Sequence, residues 1–264
     1  MFNLSDKVIL VTGGTGLLGK TYCEELAKND AIVIMADLKE TNPKKIAEEF
    51  YTSKSYQIYG MEVDVSSEKQ IIDLMHKIRK KFGKLDVLIN NAAVTGEHLL
   101  REGEVFTSFE ESSLQIWEKS IKVNLTGVYL STREAGKLML DNGKGCIINI
   151  SSIYGVVGPD HSIYNDMPFN SICSYAASKA GIHGLTRWLA TYWGDKSIRV
   201  NTVVLGGVEN KHDVEFVKLY SERTPLKRMA NPKDMIGIIL YLASDLSKYA
   251  TGQQFFVDGG WTAI

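Results

Sequence analysis

The sequence has 264 residues, with 30 basic and 31 acidic side chains, a formal charge of −1 and 44% hydrophobic residues. These values are typical of a compact globular protein and exclude a disordered chain and a strongly basic nucleic-acid binder. The opening MFNLSDK lacks the apolar core of a secretory signal, no run of 18 apolar residues follows, and the three cysteines have no metal-ligand spacing, so we expect a cytoplasmic protein with no nucleic-acid or membrane partner and no metal site.

Short apolar runs alternate with longer amphipathic stretches along the whole chain. The apolar runs predict strands over residues 7–11, 31–36, 56–63, 85–90, 146–150, 198–204 and 253–257. Helical spacing of apolar residues predicts helices over 18–28, 66–82, 114–140, 174–193 and 232–243. This alternation predicts an α/β fold, a Rossmann-type doubly wound parallel sheet of about seven strands with helices on both faces. No linker interrupts it, so we expect residues 1–264 to form a single dinucleotide-binding and catalytic domain.

The first predicted strand leads directly into the glycine-rich segment TGGTGLLG, residues 12–19. Glycines at a junction of strand and helix let the backbone turn tightly and approach a pyrophosphate, whose charge the first amides of the helix stabilise. A glycine-rich turn without a ligand is the alternative when the segment is taken alone. We expect five residues of this segment to bind a dinucleotide, namely Gly13, Thr15, Gly16, Leu17 and Leu18.

The second predicted strand is followed by Asp37, which lies 18 residues beyond Gly19. A carboxylate at this position accepts hydrogen bonds from the adenosine ribose and repels a 2′-phosphate. The alternatives are a solvated turn, or a phosphate contact from the nearby Lys39. Asp37 therefore favours NAD over NADP as the cofactor.

Tyr175 and Lys179 lie four residues apart in a predicted helix, so their side chains share one face. An ammonium beside a phenol favours the phenolate, which makes the pair a tunable acid and base. Tyr192 and Lys196 have the same spacing, but Gly194 lies between them at the predicted helix end. Ser152 follows the fifth predicted strand, at the edge where open α/β sheets bind ligands, and its hydroxyl could hold a substrate oxygen.

These motifs, in this order, resemble those of the classical short-chain dehydrogenase/reductase family over essentially the whole chain. They are VTGGTGLLG, NNAA at residues 90–93, VNLTG, INISS, YAASK and TGQQFFVDGG. The resemblance implies an NAD(P)-dependent oxidoreductase that acts on a secondary alcohol or ketone through a tetrad of Asn124, Ser152, Tyr175 and Lys179. Tyr175 would transfer the proton and Ser152 would orient the substrate oxygen. Lys179 would lower the tyrosine pKa and hold the nicotinamide ribose, and Asn124 would anchor a water that relays protons.

The resemblance also implies further contacts with the dinucleotide and a homodimer or homotetramer. Asp64 and Val65 would flank the adenine, and Asn91 with Ala92 would line the adenosine side. The segment after the sixth predicted strand would complete the cofactor site with Gly206 and Val208.

The sequence departs from the family pattern at several positions. Leu17 stands where the classical pattern has glycine, and the resulting glycine pattern is usual in longer sugar-nucleotide-modifying relatives. Leu205 replaces a proline, and Asn210 replaces a threonine that often contacts the nicotinamide amide. Segments 94–113 and 159–174 are longer than in most relatives and fall where substrate is expected.

The composition of segment 159–174, polar residues interleaved with aromatic ones, predicts a loop that covers a hydroxyl-rich ligand such as a sugar derivative. This insertion is similar to that of a bacterial subgroup associated with surface-polysaccharide or flagellin-sugar pathways. One alternative is a nucleotide-sugar epimerase or dehydratase that uses NAD transiently, although its usual C-terminal substrate domain does not follow TGQQFFVDGG. The other is a non-catalytic dinucleotide sensor, which would be expected to lose Tyr175 or Lys179.

Overall fold

The computed structural model describes residues 2–103, 108–164 and 171–264. Within them, seven strands form one sheet in which every neighbouring pair is parallel, in the order β3-β2-β1-β4-β5-β6-β7. The strands are β1 (Val8–Thr12), β2 (Ile32–Asp37), β3 (Ile58–Glu62), β4 (Val87–Asn90), β5 (Gly145–Ser152), β6 (Ile198–Leu205) and β7 (Gln254–Val257). The predicted doubly wound α/β fold is confirmed.

Helices cover both faces of this sheet. They are α1 (Leu17–Lys28), α2 (Pro43–Lys54), α3 (Glu68–Phe82), α4 (Gly96–Arg101), α5 (Leu114–Ile121), α6 (Gly127–Asp141), α7 (Cys173–Trp193), α8 (Val214–Arg223) and α9 (Ile236–Ala243). The predicted helices over 18–28, 66–82 and 174–193 agree with α1, α3 and α7, whereas α2, α4 and α8 were not predicted. None of the described helices has both the length and the hydrophobicity needed to span a bilayer.

The side chains of β1 explain why the strands are apolar at consecutive positions. Ile9 and Val11 pack on one face of the sheet in the core that contains side chains of α1 and α9. Val8 and Leu10 pack on the other face with side chains of α3, α6 and α7. All four are buried, as expected for a parallel strand with helices on both sides.

The strand order reverses beside β1, which pairs with β2 on one side and with β4 on the other. In open parallel sheets, the crevice beyond the carboxyl ends of the strands at such a reversal binds ligands. Thr12, Asn90 and Ser152 are the last residues of β1, β4 and β5. The fold therefore brings the predicted motifs to one edge.

The helix predicted over 114–140 is present, but it is not α-helical throughout. A π-helical turn, Lys122–Thr126, separates α5 from α6. Such turns are rare and are frequent at functional sites. Asn124 lies in this turn and is fully buried, so the irregularity coincides with a predicted catalytic residue.

Candidate active site

A cavity of about 930 Å³ opens at the carboxyl edge of the sheet, a volume typical of cofactor and small-molecule sites. Apart from Asn124, the predicted site residues all line it: Gly13, Thr15, Gly16, Leu17, Leu18, Asp37, Asp64, Val65, Asn91, Ala92, Ser152, Tyr175, Lys179, Gly206 and Val208. Asn124 is buried instead. Among the described residues, no group of three or more His, Cys, Asp or Glu side chains could hold a metal ion.

The glycine-rich loop forms a cradle at one end of this cavity. Gly13 has φ +61°, and a Cβ atom there would lie 2.8 Å from the backbone of Ala92. A Cβ atom on Gly19 would lie 2.0 Å from the carbonyl oxygen of Gly13, so neither position accepts a side chain. Because α1 begins at Leu17 and Gly16 provides no side-chain cap, the first amides of the helix keep their capacity to bind an anion. The cradle therefore fits a pyrophosphate.

Asp37 holds this loop in place from the end of β2. Its Oδ2 accepts hydrogen bonds from the Thr15 amide at 2.9 Å and from the Thr15 hydroxyl at 2.6 Å. Its Oδ1 accepts the amide of Leu38 at 2.8 Å. The sequence predicted ribose recognition by Asp37 but not this contact with the loop. Each carboxylate oxygen has about two lone-pair sites, so the carboxylate retains capacity for a ribose hydroxyl.

Asn91 fixes the start of the cradle from the end of β4. Its Nδ2 donates to the carbonyl oxygens of Thr12 and Gly13, both at 3.0 Å. The amides of Asn91 and Ala92 donate to Thr12 Oγ1 at 3.1 and 3.2 Å. The NNAA motif thus ties the end of β4 to the end of β1, in addition to lining the cavity.

Ser152, Tyr175 and Lys179 form one group where the end of β5 meets α7. The Ser152 side chain lies close enough to Tyr175 to lower its pKa. Lys179 Nζ lies 5.5 Å from the centre of the Tyr175 ring and donates to the carbonyl oxygen of Ile150 at 2.9 Å. The structure therefore brings these three predicted catalytic residues together.

Burial dominates the electrostatics of this group. It raises the pKa of Tyr175 above its ordinary value, and the Ser152 side chain offsets only part of this change. Burial also lowers the pKa of Lys179 to about 8. The lowering of the Tyr175 pKa expected from Lys179 is not found, since burial raises this pKa and the lysine donates its hydrogen bond to Ile150. Tyr175 is consequently a neutral phenol at pH 7.

Asn124 joins the π-helical turn to the segment after β4. Its Oδ1 accepts the amide of Val94 at 2.7 Å, and its Nδ2 donates to the carbonyl oxygen of Val94 at 2.9 Å. Both polar groups of the side chain are therefore occupied by the backbone of one residue. A relay of protons through a water at Asn124 stays a prediction.

Several cavity residues at the substrate end were not predicted as site residues. The hydroxyls of Tyr154 and Tyr164 lie 2.8 Å apart, and the Tyr164 ring packs on Phe216 of α8. Tyr154 follows Ser152 by two residues at the same sheet edge, which is a sequence signal that could have indicated it. His212 Nε2 lies 2.7 Å from Glu97 Oε1. Nothing in the sequence indicates this pair, because its members are brought together only by the fold.

Both extended segments contribute to the cavity. Residues 94–98 and Glu102 line it from the first, and Tyr164, Ser171 and Ile172 line it from the second. Residues 104–107 and 165–170 lie outside the described part of the chain. The covering of a ligand by these segments stays a prediction.

Comparisons with known proteins agree with this geometry. Residues 16–262 match the family model described as Enoyl-(Acyl carrier protein) reductase. The chain is 31% identical over 258 residues to the Post-translational flagellin modification protein A of Campylobacter coli. The alignment covers 98% of this chain and 99% of that protein.

Two solved structures are similar over nearly the whole chain. A short chain dehydrogenase from Leptospira borgpetersenii with bound NAD+ is 34% identical, with a TM-score of 0.86 and coverage of 98% of this chain and 94% of that one. A gluconate 5-dehydrogenase from Burkholderia cenocepacia in complex with NADP and tartrate is 25% identical, with a TM-score of 0.88 and coverage of 100% and 98%. Both hold a nicotinamide dinucleotide, and they differ in its 2′-phosphate.

Proposed function

Since the chain belongs to the short-chain dehydrogenase/reductase family and is an oxidoreductase, we propose that it interconverts a secondary alcohol and a ketone of a sugar-like molecule with NAD as cofactor. The group of Ser152, Tyr175 and Lys179 at the cavity wall carries this proposal. The dinucleotide, when bound, supplies or accepts the hydride. The whole chain would serve as one binding and catalytic domain.

Tyr175 is the proposed acid and base. In the reductive direction its neutral phenol donates the Oη proton to the ketone oxygen, and in the oxidative direction the phenolate takes a proton from the alcohol. Ser152 Oγ accepts the amide of Tyr154 at 3.2 Å, which fixes the hydroxyl that would orient the substrate oxygen. The raised pKa of Tyr175 favours the acid form at neutral pH.

Lys179 and Asn124 would support this proton transfer. A lysine whose pKa is about 8 changes charge close to physiological pH, and because the pKa of Tyr175 is higher, transfer of a proton from the ammonium to the phenolate is favourable. It would also hold the nicotinamide ribose from the cavity wall. Asn124 would anchor the water that connects Lys179 with solvent.

The choice of NAD depends on Asp37. A 2′-phosphate on the adenosine ribose would lie against this carboxylate. The resulting repulsion weakens the binding of NADP and is absent with NAD. The NAD+ complex of the Leptospira relative supports this choice. The NADP complex of the Burkholderia relative makes NADP the alternative.

The sugar-like substrate is supported by the substrate end of the cavity. The hydroxyls of Tyr154 and Tyr164 and the pair of Glu97 and His212 are donors and acceptors suited to a molecule with several hydroxyls. One relative is named a gluconate 5-dehydrogenase. We extend a substrate of this sugar-like kind to this chain as part of the proposal, and a cytoplasmic location stays a prediction from the sequence.

We also propose a homodimer or homotetramer. Large aromatic side chains are exposed on the helices around the π-helical turn, namely Trp117, Tyr129, Trp188 and Tyr192. Exposed apolar surface of this kind often marks an interface between subunits.

Substitution of Tyr175 by Phe tests the reaction. Wild-type enzyme is assayed with NAD and NADP against sugars, sugar phosphates, nucleotide sugars and simple secondary alcohols and ketones. Tyr175→Phe should lower kcat by about 10²–10⁴-fold, since only the ionisable oxygen is lost, and NAD affinity should stay within a few-fold. Tyr192→Phe, which changes an exposed tyrosine on the same helix, is the control. Retention of most of kcat by Tyr175→Phe would refute the acid and base role.

A further inference from the structure

His183 is a buried histidine that the proposed mechanism does not use. It lies on α7, four residues after Lys179 and on the same helical face. Only 5% of its surface is exposed. Its Nε2 lies 3.1 Å from the hydroxyl of Ser151, the residue immediately before Ser152 on β5.

The hydrogen bonds of Ser151 fix the protonation state of this histidine. The Ser151 hydroxyl donates its single proton to the carbonyl oxygen of Lys179 at 3.0 Å. With that proton on the Lys179 carbonyl, Ser151 Oγ accepts from His183, and the imidazole proton is on Nε2. Among the residues that the structure describes, none is a hydrogen-bond partner of His183 Nδ1. Burial lowers the pKa of His183, which agrees with a neutral ring.

Three consecutive residues of β5 thus contact α7 through polar groups. The carbonyl oxygen of Ile150 accepts from Lys179 Nζ, Ser151 bonds to the backbone of Lys179 and to His183, and Ser152 interacts with the side chain of Tyr175. The contact of Ser151 involves the backbone of the helix, whereas the other two involve the reactive side chains. A shift of α7 along β5 would change the distance from Ser152 to Tyr175.

We propose that Ser151 and His183 are positioning residues, which hold α7 in the register that places Tyr175 and Lys179 beside Ser152. This inference rests on the proposed function of Tyr175 and extends it to two residues that do not act on the substrate. Catalysis by correct orientation requires reacting groups to be held within a fraction of an ångström. The pair therefore contributes to kcat more than to substrate or cofactor binding.

Substitutions at position 183 test the inference by geometry. Gln has an amide nitrogen at the position of His Nε2, whereas Asn is one bond shorter and cannot reach Ser151. His183→Asn, His183→Leu and Ser151→Ala should each lower kcat about 5- to 20-fold, with KM and NAD affinity changed less than about twofold. His183→Gln should retain kcat within about twofold. Equal losses in His183→Gln and His183→Asn would overturn the inference.

Thr186→Val provides the matched control for a general loosening of α7. Thr186 is a buried residue of the same helix, and its hydroxyl bonds to Asn149 of β5 and Thr202 of β6 at 2.9 and 2.8 Å. Its substitution removes two buried hydrogen bonds farther from Tyr175. It should lower the free energy of unfolding and leave kcat nearly unchanged. An equal loss of kcat in Thr186→Val would overturn the positioning role.

A double-mutant cycle separates this inference from the proposed function. Unfolding free energies are measured for Ser151→Ala, Tyr175→Phe and the double variant, a comparison that requires no turnover. Positioning predicts that the double variant departs from the sum of the single effects, because both substitutions weaken one contact between β5 and α7. Additive effects would overturn the inference even if Tyr175→Phe is inactive. Activity in Tyr175→Phe would instead overturn the proposed function, and the cycle would still decide the positioning role.

Discussion

Burial of Lys179 makes the free energy of unfolding of the ligand-free protein depend on pH. Its pKa of about 8 in the folded state lies below the ordinary value of a solvated lysine, about 10.4. Between these two pH values the unfolded chain binds more protons, so stability rises as pH increases from about 8 towards 10. Below pH 8 the full cost of the buried ammonium is present.

Lys179→Met should therefore stabilise the protein at pH 7 by about 1–3 kcal/mol. This is the free energy that corresponds to the pKa difference, minus the contribution of the lost hydrogen bond to Ile150. The gain should shrink as pH approaches 10, because the wild-type lysine is then neutral when folded. Urea unfolding of both proteins between pH 7 and 9.5 measures this. Lys196→Met, at an exposed lysine beyond the same helix, should show no such trend. A stability difference that is constant with pH would contradict the burial argument.

Asp37 is expected to set the cofactor preference. Asp37→Ala should weaken NAD binding and reduce its preference over NADP about tenfold, because the ribose acceptor and the negative charge are both lost. Titration of each cofactor followed by fluorescence measures the two affinities. Thr15→Val removes the 2.6 Å hydroxyl contact but keeps the carboxylate, so it distinguishes loss of the loop contact, which should weaken both cofactors alike, from loss of the charge. Tighter binding of NADP than NAD by the wild type would refute this choice.

At the residue scale, the sequence predicted positions that lie within contiguous motifs. Tyr175 and Lys179 share a helical face, and Ser152 ends a strand, so local geometry was enough to place them. The contact of Asp37 with Thr15 and the pair of Glu97 and His212 join distant parts of the chain. A local periodicity in the sequence does not predict such contacts. The pKa of Tyr175 was also misjudged, because burial is a property of the fold.

The π-helical turn is an element whose stability depends on Asn124. Asn124→Ala would leave the amide and the carbonyl of Val94 without their partner, at a cost of about 1–3 kcal/mol for each group left buried. We expect a loss of unfolding free energy of this order and a rise in KM, since Val94 begins the segment that lines the cavity. Chemical denaturation and steady-state kinetics measure the two effects.

Thr126→Ala serves as the control for that substitution, because Thr126 is exposed in the same turn. It should change stability by less than about 0.5 kcal/mol. Equal destabilisation by both variants would show that the turn, and not the clamp on Val94, determines the effect.

Among the elements, the sequence predicted those with a wide apolar stripe and missed those without one. The helix α2 buries only Pro43, Ala47 and Phe50, and the other positions are mostly charged or polar, so its periodicity is weak. The helix α8 buries Phe216 and Tyr220 alone. The interruption of the helix predicted over 114–140 was hidden because apolar residues continue on both sides of Lys122–Thr126.

For the whole molecule, the exposed aromatic side chains predict assembly through α7. Trp188 is 59% exposed and stacks on Tyr192 with ring centres 4.8 Å apart. Trp188→Glu should convert the wild-type oligomer to smaller species, because a charge placed in an apolar interface loses its hydration. Light scattering coupled to size exclusion measures the mass. Tyr51→Glu on α2, another exposed aromatic, is the control, and a monomeric wild type would refute the assembly.

The central place of β1 in the sheet has a consequence for synthesis on the ribosome. The chain makes β1 first, adds β2 and β3 outward on one side, and then adds β4 to β7 outward on the other. Each new strand therefore finds its neighbour already made, which suits folding from the N-terminus during translation. The second edge of β1, where Ile9 pairs with Val87 and the Val8 amide donates to the Asp86 carboxylate, is paired only after β2 and β3 have been made. Until β4 leaves the exit tunnel, the backbone groups of this edge are unpaired, and that interval is when the nascent chain most needs a chaperone.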